Sequence, residues 1–162
     1  VSGTIASPEA GRSAPSASYE EDFHRWCLDQ AAALKKLAAM RVNLAVPLDL
    51  ENLAEEIESL GVSQLHELRA RLRQLLAHLL KWRYQPQRRS RSWRATIRVQ
   101  RDALADLLQS SPSLKRRLGE ELPRAYEKAR RLAADETGLP LSTFPETCPF
   151  TLDQIEDPEF LP

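Results

Sequence analysis

The chain has 162 residues and a mass of 18.4 kDa, which is room for one domain of ordinary size. It holds 26 Leu and 20 Ala against 5 Val and 4 Ile; strands favour β-branched residues and helices favour Leu and Ala, so the composition speaks against a sheet-based fold. Charged residues make up 28% with a formal net charge of zero, which argues against a wholly disordered chain, and the two cysteines, Cys27 and Cys148, form no CxxC, which argues against a disulfide scaffold or a cysteine zinc site.

Residues 1 to 17 are rich in Ser, Ala, Gly and Pro and read as a flexible tail ahead of one all-helical domain, 18 to 162. The tail lacks the basic start and apolar stretch of a secretory signal, and no later apolar run reaches the roughly 18 residues of a membrane span, so the expected location is cytoplasmic. Ser18 with Glu21 reads as a capping box opening a first helix, whose stripe is Phe23, Trp26, Cys27, Ala31, Leu34 and Ala38. A second helix is expected from Asp49 to Gly61 and a third from Ser63 to the residue before Pro86. Leu65, Leu68, Leu72, Leu75, Leu76, Leu79 and Leu80 make the third the strongest core element. A fourth helix starts near Ser90 or Ser92. Ser111-Pro112 opens a short fifth, and Pro123 starts a sixth that Gly138 stops. Residues 139 to 150 form an irregular arm, and Thr151 with Gln154 caps a final turn. The fold expected is an all-α bundle of about six helices with an irregular C-terminal arm.

The net charge of zero hides an asymmetry. Residues 63 to 117 carry 14 basic and 3 acidic side chains. The densest stretch, 81 to 101, has eight basic residues and no acidic one, with Trp82, Tyr84 and Trp93 among them. Arg91, Arg94, Arg98 and Arg101 share one helix face that borders the apolar stripe. Such arginines can pair with the chain's own acids, Glu51, Glu55 and Glu58 being the candidates. Alternatively they hold the phosphates of a nucleic acid, with aromatic side chains stacking on bases.

Other signals are weaker. Glu55-Glu56-Ile57-Glu58 has acids in a run, but a hard cation usually needs a second acidic pair on a facing helix, and the next helix is basic, so no metal is expected. His24 and His66 lie in polar surroundings and read as surface residues, whereas His78 sits at the edge of the leucine stripe. No Gly-rich phosphate loop and no nucleophile constellation is present, so no cofactor is expected.

The stretches LDLENLAEEIESLG (48 to 61), HLLKW (78 to 82), QP (85 to 86), RSWRATI (91 to 97), PSL (112 to 114), ETGLP (136 to 140), FPETCP (144 to 149) and the closing FLP resemble the bacterial Domain of Unknown Function 29 family, in order, over about residues 19 to 162. The resemblance implies a compact, soluble, helical bacterial protein and brings no activity, cofactor or catalytic residue with it. The motif positions include Asp49, Asn52, Glu55, Glu58, His78, Lys81, Trp82, Gln85, Arg91, Trp93, Arg94 and Thr96.

The leading expectation is a non-enzymatic module that binds a macromolecule, first of all a protein. The FPETCPF arm and the apolar C-terminus are the candidate contact surface, unless they close the bundle, which is the favoured reading. One alternative is nucleic-acid binding through Arg88, Arg89, Arg91, Arg94 and Arg98, with Trp93 or Tyr84 stacking. The other is an enzyme in which Glu55, Glu58, His78 and Arg94 form a pocket for an anionic substrate.

Overall fold

The structure, a computed structural model, describes residues 17 to 41 and 43 to 162. The expected tail therefore lies, apart from Ala17, outside the described residues. Five α-helices follow in order: α1 (Phe23–Ala39), α2 (Leu50–Tyr84), α3 (Arg91–Ser110), α4 (Leu114–Thr137) and α5 (Leu152–Glu156). Short 3-10 turns at Pro86–Arg88 and Leu141–Thr143 connect them, and no strand occurs among the described residues. The all-α bundle is as expected, with two boundaries redrawn.

Gly61 does not end a helix; it lies inside the 35-residue α2. A Cβ at this position would stand 3.0 Å from Cys27 Cβ. The glycine is there for close approach of α1, and one glycine costs a helix only about 1 kcal/mol. Ser63, read as an opening residue, turns its hydroxyl back to Leu60 O at 2.7 Å. Pro123 likewise lies inside α4. It removes the N–H that would reach Gly119, but both residues are exposed, so that carbonyl is open to water.

Caps fix most ends where the sequence places them. Asp49, Ser90 and Thr151 accept from the third residue on, and Gly138 closes α4 in the left-handed region at φ 71°. Ser18 and Glu21 do bond reciprocally, both at 3.3 Å, but on a turn before α1. The helix itself is capped by Asp22, whose Oδ1 accepts from Arg25 N at 2.8 Å.

The helix α2 is the spine. Leu68, Leu72, Leu75, Leu76, Leu79 and Leu80 are fully buried between α3 and α4. Arg71 reaches Gln100 and Ser111 reaches Gln64, so α3 runs antiparallel to α2. Arg69 meets Glu121 and Lys81 meets Glu136, so α4 runs parallel to it. The C-terminal arm then returns over the core. Phe144 and Phe150 are buried, Phe160 and Leu161 pack on the same cluster, and Tyr126 and Arg130 bond to Pro145 O and Phe144 O. The arm closes the bundle. No described helix is long and apolar enough to cross a membrane.

Candidate functional site

The basic stretch around Pro86 is held at one end of α2 by its neighbours. Pro86 ends α2, a 3-10 turn carries Arg88, and Ser90 starts α3. The arginines then separate into two kinds.

Arg89 and Arg101 are structural. Arg89 lies over the Trp82 ring at 5.2 Å and donates to Trp82 O at 2.8 Å and to Pro162 O at 3.2 Å. Arg101 is 5% exposed and donates to four backbone carbonyls, those of Gln154, Ile155, Pro158 and Phe160, between 2.9 and 3.4 Å. Burial pushes its guanidinium pKa down, yet the carbonyls supply the partners that a buried charge needs. It clamps the C-terminal arm to α3.

Arg88, Arg91, Arg94 and Arg98 are exposed and make no ion pair or side-chain hydrogen bond among the described residues. The expected pairing with Glu51, Glu55 and Glu58 does not form. The Arg71–Gln100 contact places these arginines beside the part of α2 beyond residue 71. Thirteen residues of helix, about 20 Å, separate that point from Glu58. Glu58 instead pairs with Lys35 of α1 at 2.5 Å, and Glu51 and Glu55 face solvent.

Two of the free arginines border a cleft of about 370 Å³ between α3 and the C-terminal arm. Arg94 and Arg98 share its wall with Asp102 and Glu159, so its charge is mixed. The aromatic residues are committed to the fold. Tyr84 packs edge-on against Phe144 at 5.5 Å, and half-buried Trp93 carries Lys81 Nζ at 4.7 Å from its ring centroid.

The enzyme pocket is not assembled. Glu58 and His78 lie twenty residues apart on one unbroken helix, about 30 Å along its axis. His78 is 9% exposed, and its Nδ1 bonds Gln74 O at 2.9 Å. Burial holds its imidazole below the ordinary pKa of 6.5. His66 is exposed, as expected, but His24 is half-buried and ties α1 to α2 through Gly61 O at 2.8 Å. Burial raises the pKa of both cysteine thiols, Cys27 and Cys148. No cluster of three or more His, Cys, Asp or Glu suited to a metal occurs among the described residues.

Sequence reasoning missed Arg101 as a clamp because its partners are carbonyls, which no residue type announces. Lys81, one of the motif positions, is buried between Trp93 and Glu136.

The family model for the domain of unknown function DUF29 matches residues 18–161. The chain belongs to the DUF29 family. It is also similar to a solved alpha-helical protein of unknown function from Rhodospirillum rubrum, with 30% identity and a TM-score of 0.71 over 89% of this chain and 92% of that one. No curated protein matches the chain.

Proposed function

We propose that this DUF29 protein is a non-enzymatic interaction module that binds a nucleic-acid backbone along the arginine edge formed by Arg88, Arg91, Arg94 and Arg98. One observation carries this reading: four neighbouring arginines are exposed and have no side-chain partner among the described residues, while Arg89 and Arg101 beside them are used by the fold. A planar guanidinium suits paired hydrogen bonds to phosphate, and phosphate contacts supply affinity without reading sequence. Trp93 and Tyr84 are engaged elsewhere, so the contact is to the backbone and bases stack little.

The test is fluorescence anisotropy with labelled single-stranded RNA and DNA, over salt from about 50 to about 200 mM. Binding that weakens steeply with salt is expected for both. Arg91→Ala/Arg94→Ala should keep its thermal stability and lower the salt slope by about one per arginine removed. Absence of binding at the lowest salt would sink the proposal.

A further inference from the structure

On the other side of α2 lies a second basic cluster, outside the 81 to 101 stretch. A cleft of about 300 Å³ opens between α2 and α4. Arg69 and Arg73 border it from α2, and Arg124 and Lys128 border it from α4. Each pair is spaced four residues apart, so its members lie on one helix face, about 6 Å apart along the axis. The cleft therefore has two basic walls.

Its one carboxylate is already used. Glu121 is buried and receives a paired hydrogen bond from Arg69, Nε to Oε2 and Nη2 to Oε1, both at 2.7 Å. Arg117 adds a longer contact at 3.5 Å. Arg124 is close enough to help hold the Glu121 carboxyl below its ordinary pKa but forms no ion pair among the described residues. Arg73 and Lys128 also have no acidic partner among the described residues. Arg73 Nε is buried and has no hydrogen-bond partner among them. A guanidinium N–H removed from water without an acceptor is costly, so the fold leaves the Arg73 head, which borders the cleft, short of a partner.

We propose that this cleft binds an oligophosphate, either inorganic or the phosphate chain of a nucleotide. Arg73, Arg124 and Lys128 would hold the anion, while Glu121 fixes Arg69 in place. Three cations that border one cleft, none of them in an ion pair among the described residues, suit a multiply charged ligand better than a single carboxylate, and guanidinium forks suit phosphate oxygens. Between the basic walls lie Ala70 and Ala125, and the one ring on the lining is the His66 imidazole, with no Phe, Tyr or Trp to make a broad stacking platform. The phosphate chain is therefore the part recognised. The site does not depend on the arginine edge of α3.

The experiment is a titration of isotope-labelled protein with tripolyphosphate, ATP or AMP at constant ionic strength, following the Arg73 Nε–H resonance and measuring heats of binding. Tripolyphosphate and ATP should shift that resonance saturably and with similar affinity, and AMP should bind far more weakly. Arg73→Gln/Arg124→Gln should lose at least about tenfold in affinity, with Lys36→Gln/Arg41→Gln, two exposed cations at the end of α1 that belong to neither basic surface, as an unchanged control. An Arg73 resonance that does not move would overturn the site in the wild-type protein, whatever the variants do. Equal loss in both variants would reduce it to a diffuse field effect, and AMP binding as tightly as ATP would refute phosphate-chain recognition.

Discussion

The helix α2 passes through two environments. From Leu65 to Leu80 it runs among fully buried leucines shared with α3, α4 and the C-terminal arm. From Leu50 to Val62 it packs chiefly against α1, and the buried positions of that hairpin are small: Cys27, Ala31, Ala54 and Gly61. Leu53, Leu60 and Val62 stay exposed there, as do Met40, Val46 and Leu48 nearby. Small residues bring two backbones close but remove little apolar area from water. The body is thus held by area, and the hairpin by proximity and by polar ties at its base. Regions with few buried apolar contacts open first, so α1 should open before the body does.

The sharpest way to break this comparison is one substitution made in both regions. Leu76→Ala, in the body, should cost about 3 to 4 kcal/mol in urea unfolding. Leu53→Ala, on the hairpin, should cost less than about 1 kcal/mol, because Leu53 is already 42% exposed. Equal losses would mean that the hairpin is part of the core. Next in size is Gly61→Val, which forces side-chain atoms against Cys27 and should cost about 2 kcal/mol. Hydrogen exchange of α1 amides should rise in that variant while α4 amides keep their protection.

Gly61 also shows where the sequence is legible and where it is not. The leucine period of α2, the caps at Asp49 and Thr151 and the stop at Gly138 are local signals and stand in the structure, which also selects Ser90 over Ser92 as the cap of α3. A glycine can end a helix or admit a neighbour, and only the tertiary contact with Cys27 decides between them. The same holds for charge. That 81 to 101 is basic is plain from composition, but which arginine is free depends on the C-terminal arm, more than fifty residues away. The basic cleft between α2 and α4 left a faint trace, two i,i+4 pairs at Arg69/Arg73 and Arg124/Lys128, but their facing positions follow from the parallel packing of helices distant in sequence.

The base of the hairpin offers a smaller test. Asp22 caps α1 and also accepts from Ser113 N at 2.6 Å and Ser113 Oγ at 2.9 Å. Asp22→Ala should cost about 1 to 2 kcal/mol by losing the cap and both ties. It should speed exchange in α1 more than in α3, the reverse of what a body mutation does.

Acid should act on the body in two steps. Burial holds the His78 pKa below its ordinary 6.5, so the unfolded chain takes up a proton before the folded one does. The stability this gives is full above about that pH and declines as the pH falls through the interval down to the folded pKa. Glu121 is held below its ordinary 4.5, first by the Arg69 hydrogen bond, so its contribution is lost at lower pH, as its folded pKa is passed. Denaturation midpoints of His78→Gln should lack the first decline and keep the second. A His78 ring titrating at or above 6.5 by NMR would remove the first step.

The smallest effect belongs to Lys35 and Glu58, the ion pair that joins α1 to α2. Its N–O distance of 2.5 Å is as short as that of the Lys81–Glu136 pair, so distance alone would rank the two equally. Their surroundings differ: the Lys35 and Glu58 side chains are 51% and 44% exposed, whereas the Lys81 side chain is 8% exposed and lies over Trp93. Water screens the first pair, and ordering two long side chains offsets much of what remains, so Lys35→Met should cost no more than about 0.5 kcal/mol and less in high salt. Lys81→Met should cost several times more. It removes the partner of Glu136 and the cation over Trp93, although the new side chain can still fill the apolar space. If Lys35→Met proves as costly as Lys81→Met, the hairpin is held by charge, and the distinction between the two ends of α2 fails where it is most exposed to water.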